Sequence, residues 1–487
     1  MKTTHSQPGD PQALAERTFT DEDQLWFAQM SGDRNPVHLD AIAARRLLTG
    51  RPIVHGVHVL LWALEYWRAD GAPAVTQISA SFDNPVGVGE TVCFSQRIDA
   101  RGRTVVTASV DDLVCVRTVI TTRSPGEPRA TGSAAAPTLR GDVHRIDKID
   151  RPLDQSPESH LEKVYAITPD DRGLSAFFPQ SRRILGEHGP PSVAALSYFA
   201  GMIAPGLHSV LSSVTLDLTV PAAADRSLRL WIRNFHSNVR LFDIAFEGAM
   251  TGRLEAFLRP SPSRQPSIKD LSSVIGGEEF RGTRSLIIGG SRGLGEMTAK
   301  VLGAGAGDVV LTYHAGAKEA RAIKDELDQH RAGSCETVCF DVRQGAWQDL
   351  RVDLTQIDAV YFFPTPRIFR KSARIFNPAW FREFSTFYVD SFFELCAHLE
   401  RRAVKPVRVF FPSSVAVVER PKGLTEYAMA KAAAEVMIED INRSFKRVSV
   451  RSHRLPRLNT DQTASVLDVA AESNVDTLLP IIRSMYQ

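Results

Sequence analysis

The sequence predicts a multidomain chain in which two α+β layers precede an α/β domain built on a doubly wound parallel sheet. Residues 280–487 alternate short apolar runs with helical stretches, a pattern typical of βαβ units. Each of the two preceding segments instead has one apolar helix followed by β-rich runs such as 75–82, 91–98 and 213–220. These runs predict a curved antiparallel sheet wrapped on a helix in each segment.

Two stretches without apolar periodicity predict linkers. Residues 123–142 are rich in Pro, Gly, Ser and Ala, and residues 259–272 contain three prolines. Neither stretch has enough apolar surface to build a core. The predicted organisation is a flexible tail at 1–16, a first segment at 17–122, a linker at 123–142, a second segment at 143–258, a linker at 259–279 and a third segment at 280–487.

The composition excludes several classes of partner and cofactor. The chain of 487 residues is 43% hydrophobic and 23% charged, with a formal net charge of only +2, so neither a nucleic acid nor a membrane is an expected partner. The N-terminus lacks the apolar core of a signal peptide, and no purely apolar run reaches 18 residues. The five cysteines are scattered and have no zinc-site spacing, so we expect a cytoplasmic protein with reduced thiols and no metal.

The third segment supplies its strands and helices in strict alternation. Strands are predicted at Ser285–Ile288, Asp308–Thr312, Thr337–Phe340, Ala359–Phe363 and Val407–Phe411, and helices at Leu294–Leu302 and Ala317–His330. Between the first strand and the first helix stands GGSRGLG, with glycines at 289, 293 and 295. Glycines there allow a sharp turn and a close approach to a pyrophosphate at the helix N-terminus.

Two features of this segment favour NADPH over NADH. Arg292 precedes the second glycine of the motif and could hold a 2′-phosphate through two hydrogen bonds, although a solvated surface charge is the alternative. The second strand ends at Tyr313 and His314, without an acidic residue for a ribose 2′-hydroxyl.

A second motif lies near the end of the third segment. Tyr427 and Lys431 are four residues apart on a helical stretch, so their side chains share one face. A nearby ammonium lowers the pKa of a phenol and lets it exchange a proton near neutral pH. Ser414 lies 13 residues before Tyr427, at the end of a predicted strand.

Together these motifs resemble the classical short-chain dehydrogenase/reductase family, which has a Rossmann-type fold, and in particular its 3-oxoacyl-thioester reductases. The resemblance implies that Ser414 positions the substrate carbonyl, Tyr427 donates the proton and Lys431 binds the nicotinamide ribose and lowers the tyrosine pKa. It also implies an NADPH site formed by Gly289, Ser291, Arg292, Gly293, Leu294, Gly295, Tyr313, His314, Asp341, Val342, Tyr427 and Lys431. Asp341 matches the family's aspartate that contacts adenine.

The segment departs from the family pattern at two places. The Asn-rich motif after the fourth strand is replaced by FFPTP at 362–366, and Tyr388 stands where the family usually has its proton-relay asparagine. These departures put the proton relay and the substrate specificity in question.

The first segment carries a different constellation. Residues 27–40 read FAQMSGDRNPVHLD, which places Asp33 and His38 on a Pro-bent loop, and His55-Gly56 opens an apolar helix. A carboxylate and a neutral imidazole can share proton abstraction and donation, and the Gly56 amide at a helix N-terminus can donate to a thioester oxyanion. The alternative is an ordinary Asp-x-Asn-Pro turn with a surface histidine.

This loop, the following His-Gly and the run SFDNPVGVGE at 81–90 resemble the MaoC-type (R)-specific enoyl-thioester hydratase/dehydratase family, whose fold is the hot-dog fold. The resemblance covers residues 18–120 and implies that Asp33 and His38 are the catalytic pair and Gly56 the oxyanion donor. The second segment, with an apolar helix at 192–202 and PGLHS at 205–209, resembles a second hot-dog repeat that lacks the catalytic loop. His208 is a structural histidine or, alternatively, a ligand or acid.

A ketoreductase and a hydratase share one intermediate, the 3-hydroxyacyl thioester. The sequence therefore predicts a bifunctional enzyme that reduces a 3-oxoacyl thioester with NADPH and dehydrates the alcohol, with the acyl group on CoA or an acyl carrier protein. A catabolic enzyme running the same steps in reverse is one alternative, and a chain in which one domain is a non-catalytic acyl-binding scaffold is the other. Self-association is usual for both folds, so a homodimer is an expected assembly.

Overall fold

The computed structural model describes residues 11–47, 49–69, 74–123, 143–219, 226–330, 333–344, 347–463 and 469–487. These residues divide into two compact units, one ending at Ser261 and one beginning at Pro262. The first unit therefore contains both predicted α+β segments. Among the described residues, no helix combines the length and the apolar character needed to cross a membrane.

The first unit contains eleven strands and, among the residues described, seven α-helices. The strands are β1 (Gln12–Thr18), β2 (Ala74–Phe82), β3 (Thr91–Ile98), β4 (Thr104–Val110), β5 (Leu113–Arg123), β6 (Val143–Arg145), β7 (Val164–Ile167), β8 (Ser209–Asp217), β9 (Leu228–His236), β10 (Leu241–Gly248) and β11 (Thr251–Leu258). The helices are α1 (Asp21–Ser31), α2 (Pro36–Leu39), α3 (Ala41–Arg45), α4 (Gly56–Tyr66), α5 (Leu174–Phe177), α6 (Pro179–Leu185) and α7 (Gly189–Tyr198).

The order of the strands shows that the two segments are structural repeats. The sheet runs β1-β3-β4-β5-β2-β8-β11-β10-β9-β7-β6, so five strands of each half have the same order read outward from the centre, and the second half adds β6 at its edge. Strands β2 and β8 join the halves as an antiparallel pair, from Gln77 opposite Asp217 to Ser81 opposite Ser213. Each half contributes one apolar helix, α4 or α7, to the concave side. This is the double hot-dog arrangement that the sequence predicted.

The two central helices form the core of this unit because they are apolar around most of their circumference. Leu60, Leu61 and Leu64 on α4 and Leu196 on α7 are all fully buried. Helix α7 continues into a π-helical turn at Phe199–Ile203. π-Helical turns are rare in proteins, and those that occur are often found at functional sites. This one lies beside the loop between α1 and α2.

The second unit is the predicted doubly wound sheet. Its strands are β12 (Arg284–Ile288), β13 (Asp308–Tyr313), β14 (Cys335–Cys339), β15 (Ala359–Phe362), β16 (Val407–Ser414) and β17 (Val448–Leu455). All pairs are parallel, in the order β14-β13-β12-β15-β16-β17. Its helices are α8 (Ile268–Leu271), α9 (Gly293–Ala304), α10 (Ala317–Gln329), α11 (Pro378–Ser385), α12 (Ser391–Arg402), α13 (Ala416–Glu419), α14 (Thr425–Ser444) and α15 (Asn474–Ser484).

Two predicted boundaries differ from the structure. The tail predicted at 1–16 includes part of β1, which pairs antiparallel with β3 from Gln12 onward. The linker predicted at 259–279 mostly belongs to the second unit, since Ile268, Leu271 and Ile275 are buried in its core. The prolines of this stretch concealed that apolar pattern in the sequence. Apart from Arg123, the linker predicted at 123–142 lies outside the described residues.

Candidate active sites

The loop of the first repeat is shaped by its own polar side chains. Helix α1 ends at Gly32, which adopts the left-handed conformation, and Asn35 caps α2 by accepting a hydrogen bond from the amide of Val37. The Asn35 amide donates to Asp33 Oδ1 at 3.2 Å. These short-range bonds turn the chain so that Asp33 and His38 face each other, as the spacing predicted.

His38 is held in one tautomer. Its Nδ1 lies 2.8 Å from the carbonyl oxygen of Ile53, which can only accept a hydrogen bond, so Nδ1 carries the proton. In the neutral ring, Nε2 then has a free lone pair, and it lies 4.0 Å from Asp33 Oδ2. The lone pair and the carboxylate therefore face the same space.

Burial moves the two pKa values in opposite directions. It raises the pKa of Asp33, and the nearby His38, the Ser197 hydroxyl and the Asn35 amide only partly offset this effect. It lowers the pKa of His38 against the opposing influence of Asp33 and the Ile53 carbonyl, and Arg259 lowers it further. A neutral imidazole beside a carboxyl group that protonates more readily than usual is suited to paired proton transfer.

His55 supports this pair, a role that sequence reasoning missed. Its ring stacks on that of His38 with centroids 3.7 Å apart. Its Nδ1 lies 3.0 Å from Gln24 Oε1 and its Nε2 lies 3.1 Å from the Asp33 carbonyl oxygen. Asp33, His38 and His55 together present ligand atoms within 4.8 Å of one another. However, both ring nitrogens of His55 already face carbonyl oxygens, which favours a supporting role over metal ligation.

The second repeat completes the site. Ser197, near the end of α7, donates a hydrogen bond of 2.6 Å to Asp33 Oδ2, and the Asn35 side-chain amide donates to the carbonyls of Gly201 and Gly206 at 2.8 and 3.1 Å. A Cβ atom added to Gly201 would lie 2.3 Å from Asp33 Oδ1. The repeat without a catalytic loop therefore holds the acid of the other repeat in place. No motif in the sequence marked these contacts.

Gly56 is the first residue of α4, where the amides have no acceptor within the helix. A Cβ atom on Gly56 would lie 2.8 Å from the Phe82 ring and 3.4 Å from Leu211. The Gly56 amide is therefore at the N-terminal end of a helix, and Gly56 lies close to Phe82 of β2 and Leu211 of β8. His208 of the second repeat lies 3.3 Å from Ser261 Oγ and 3.7 Å from Asp154.

We predict that Ser197→Ala lowers the rate of dehydration about tenfold or more, because a hydrogen bond to a carboxylate contributes about 1.5–3 kcal/mol. Steady-state kinetics on a 3-hydroxyacyl thioester measure the effect. Ser192→Ala is the matched control: Ser192 is buried on the same helix, but its hydroxyl has no hydrogen-bond partner in the structure. Equal losses in both variants would show that Ser197 acts only through the packing of α7.

The glycine-rich turn of the second unit lies between β12 and α9, as predicted. The Gly290 amide donates to the Thr312 carbonyl at 2.8 Å, which ties the turn to β13. A Cβ atom on Gly295 would lie 2.5 Å from the Gly289 carbonyl oxygen, so only glycine lets α9 start this close to the turn. The result is an open cradle of backbone amides at a helix N-terminus, which suits a pyrophosphate.

Several polar groups meet at the carboxyl ends of β13 and β14. Asp341 is held by two nitrogens of Arg343, at 2.9 and 2.6 Å, and it lies 3.7 Å from His314 Nδ1. The Arg292 guanidinium lies 3.8 Å from the carboxylate of Asp461. The predicted residues Tyr313, His314, Asp341 and Val342 thus share the sheet edge with the glycine-rich turn, and Arg343 is a basic neighbour that the motif analysis did not single out.

The Ser–Tyr–Lys set is assembled at the ends of β16 and α14. The Ser414 hydroxyl bonds to Tyr427 and lowers its pKa, but burial has the larger effect and leaves that pKa above its usual value. Burial lowers the pKa of Lys431 to about 7, and Glu435 only partly offsets it. Lys431 Nζ donates to the Pro412 carbonyl at 2.5 Å, so in this structure it is not directed at the phenol as the resemblance implied.

The aromatic ring of Tyr388 packs directly against the ammonium group of Lys431. Tyr388 lies in a π-helical turn, Thr386–Asp390, and its ring centroid is 3.8 Å from Lys431 Nζ, with Phe411 on another side at 4.4 Å. Its hydroxyl bonds to Thr365, which belongs to the unusual FFPTP run. The two departures from the family pattern therefore contact each other beside the predicted catalytic lysine.

Two family models match the chain, one per unit. The MaoC like domain matches residues 3–112, and the short chain dehydrogenase model matches residues 284–469. The 3-hydroxybutyryl-CoA dehydratase of Methylorubrum extorquens is 31% identical over 110 residues, which cover 21% of this chain and 70% of that protein. Protein MaoC of Klebsiella aerogenes is 32% identical over 103 residues, or 20% of this chain, and the match spans only 30% of that protein.

Solved structures similar to the chain include short-chain dehydrogenases. One from Serratia marcescens is 17% identical, with a TM-score of 0.36, and covers 42% of this chain and 91% of its own. One from Burkholderia cenocepacia, solved in complex with NADP, is 17% identical, with a TM-score of 0.37 and the same two coverages.

The fold and the two sites define a multidomain protein with a MaoC-like dehydratase domain and a short-chain dehydrogenase domain. The chain belongs to the MaoC-like dehydratase family through its N-terminal domain, and its C-terminal domain matches the short chain dehydrogenase model over residues 284–469.

Proposed function

We propose that the chain is a bifunctional enzyme of fatty-acid- or polyketide-like biosynthesis, an NADPH-dependent 3-oxoacyl-thioester reductase and a (3R)-hydroxyacyl-thioester dehydratase. The observation that carries the proposal is that one chain holds two acid–base groups, Asp33 with His38 and Ser414 with Tyr427 and Lys431, in domains of these two families. The product of the reductase is the substrate of the dehydratase, so joining both on one chain raises the local concentration of the intermediate.

In the dehydratase domain, the Nε2 lone pair of His38 accepts the proton from C2 of the substrate. The electron pair forms the C2–C3 double bond, and the C3 hydroxyl leaves as water with a proton supplied by Asp33, whose raised pKa suits it to this role. The Gly56 amide donates to the thioester oxygen, where negative charge develops during the reaction. Ser197 holds Asp33 in position throughout.

In the reductase domain, Tyr427 donates a proton to the 3-oxo oxygen while Ser414 orients the carbonyl. Lys431, with a pKa of about 7, exchanges protons near neutral pH, and its Nζ lies 5.9 Å from the centre of the Tyr427 ring. NADPH supplies the hydride when bound. Residues present in the chain fit such a cofactor: the cradle at Gly295 receives a pyrophosphate, and Arg292 is the candidate for its 2′-phosphate.

A thioester substrate is supported by the printed name of one relative, which is a 3-hydroxybutyryl-CoA dehydratase. Here the acyl carrier is CoA or an acyl carrier protein. The alternative is a catabolic role, in which the same domains hydrate an enoyl thioester and oxidise the alcohol with NAD. The following test distinguishes the two roles.

The test is to incubate the full chain with 3-oxoacyl thioesters, on CoA and on a carrier protein, and to identify the products by mass spectrometry. We expect NADPH consumption, a transient 3-hydroxyacyl thioester and then a trans-2-enoyl thioester. A strong preference for NADH would contradict the biosynthetic direction. Accumulation of the alcohol without dehydration would mean that the N-terminal domain is a scaffold.

A further inference from the structure

Arg259 is a buried cation without a carboxylate partner in the part of the chain that the structure describes. It follows β11 directly, and only 6% of its surface is exposed. Burial lowers its pKa to about 10, and no acidic group opposes this effect. Arg253 on the same strand differs: it is partly exposed, and its Nε lies 2.7 Å from Asp243. A buried charge without a counter-ion is costly and therefore calls for an explanation.

The guanidinium of Arg259 is attached to the backbone that borders the acid–base loop. Its Nη2 donates to the Leu207 carbonyl at 3.2 Å and its Nε to the Ser209 carbonyl at 3.4 Å. The side-chain amide of Asn35 reaches the same Leu207 carbonyl, also at 3.4 Å. Arg259 and the Asp33-x-Asn35 loop are therefore neighbours that share an acceptor.

The same backbone also borders the predicted oxyanion donor. Two residues after Ser209, the side chain of Leu211 lies 3.4 Å from where a Cβ atom on Gly56 would stand. Residues 207–211 thus connect the surroundings of Asn35 with those of the Gly56 amide. Arg259 binds this strip through the Leu207 and Ser209 carbonyls.

The positive charge of Arg259 acts electrostatically on His38 of the acid–base pair. It lowers the pKa of His38, whose other charged or titratable neighbours are Asp33 and His55. Electrostatic interactions weaken much less with distance in a buried site than in water. The field that disfavours an imidazolium at His38 will also stabilise negative charge on a thioester oxygen at Gly56.

We infer that Arg259, supplied by the repeat without a catalytic loop, is the fixed positive charge of the dehydratase centre: it stabilises the enolate oxygen of the reacting thioester and keeps His38 in the neutral, proton-accepting form. This inference rests on the proposed dehydratase activity. Arg259 is a positioning residue, since it acts through its electrostatic field and not by contact with the substrate. It also explains why a buried arginine is kept without a counter-ion.

The experiment compares Arg259→Met and Arg259→Lys with wild type in the full chain. We expect Arg259→Met to lower the kcat of dehydration about tenfold and to move the acidic limb of the pH profile of kcat/KM to higher pH, because His38 then protonates more easily. Arg259→Lys keeps the charge and should retain most of the rate. Arg240→Met is the matched control: Arg240 donates to the Leu258 and Arg259 carbonyls at 2.9 and 3.5 Å, but it is not among the groups that shift the pKa of His38.

Three readouts separate the possible failures. Equal loss in the methionine and lysine variants would overturn the inference, since it would show that Arg259 acts by bonding carbonyls rather than by its charge. Thermal melting shows whether a variant has lost its fold. NMR titration of His38 does not require turnover: a higher His38 pKa in Arg259→Met supports the inference even if the wild type dehydrates no thioester, and an unchanged pKa contradicts it.

Discussion

Replacing Asp33 by asparagine is expected to lower the rate of dehydration by about 10²–10⁴-fold, the usual contribution of a positioned acid or base. The substitution preserves the shape of the side chain and an oxygen that can accept from Ser197, but it removes the transferable proton. Reduction of a 3-oxoacyl thioester should continue at the wild-type rate, because Tyr427 and Lys431 belong to the other unit. The two half-reactions are measured separately, on a 3-hydroxyacyl and on a 3-oxoacyl thioester.

Asp40→Asn is the matched control for this variant. Asp40 is exposed and accepts hydrogen bonds from the amides of Ile42 and Ala43 at the start of α3, and asparagine caps a helix equally well. We expect this control to keep both activities. If Asp33→Asn dehydrated at the wild-type rate, the assignment of Asp33 as the proton donor would be wrong.

Tyr427→Phe is expected to lower the rate of ketone reduction by a similar factor, about 10²–10⁴-fold, while dehydration continues. The phenyl ring still fills the buried site beside Phe384 and Tyr388, so the loss reports the hydroxyl and not the packing. The Ser414 hydroxyl loses its hydrogen-bond partner in this variant. Oxidation of NADPH, followed by absorbance, measures the change.

Tyr361→Phe controls for the removal of a buried phenol from the same sheet. The Tyr361 hydroxyl bonds to that of Tyr486 at 3.3 Å, away from the catalytic set, and losing it should cost about 1 kcal/mol of stability without loss of activity. Retention of reduction by Tyr427→Phe would mean that another group protonates the ketone, and the Tyr388–Thr365 pair would be the next to test.

Local sequence patterns predicted most of the fold. The alternation after residue 280 predicted every one of the first five strands of the parallel sheet to within a few residues, because parallel strands buried on both faces are continuous apolar runs. The boundaries were less accurate. Ile268 and Leu271 follow a proline-rich stretch that indicated a linker, although they pack in the second unit, and β1 is too polar to stand out from the tail.

The acid–base residues of both sites were also predictable, since each set lies on a short motif. Asp33 and His38 face each other because of capping bonds within six residues, and Tyr427 and Lys431 share a helix face. The supporting groups were not predictable. Ser197 is 164 positions from Asp33, and Arg259 is 224 positions from Asn35, so these groups meet only when the two repeats fold against each other, partly through the pairing of β2 with β8.

The sequence by itself thus determined the two domain types and their order, and it predicted the residues that would transfer protons, because those features depend on spacing over a few residues and on hydrophobic periodicity. Only the tertiary structure decided which side chains contact those residues and how their pKa values are shifted. The second repeat supplies Ser197, Gly201 and Arg259 to the first, and Tyr388 with Phe411 encloses Lys431. Burial then shifts the pKa values of Asp33, His38 and Lys431, and burial is a property of the folded chain.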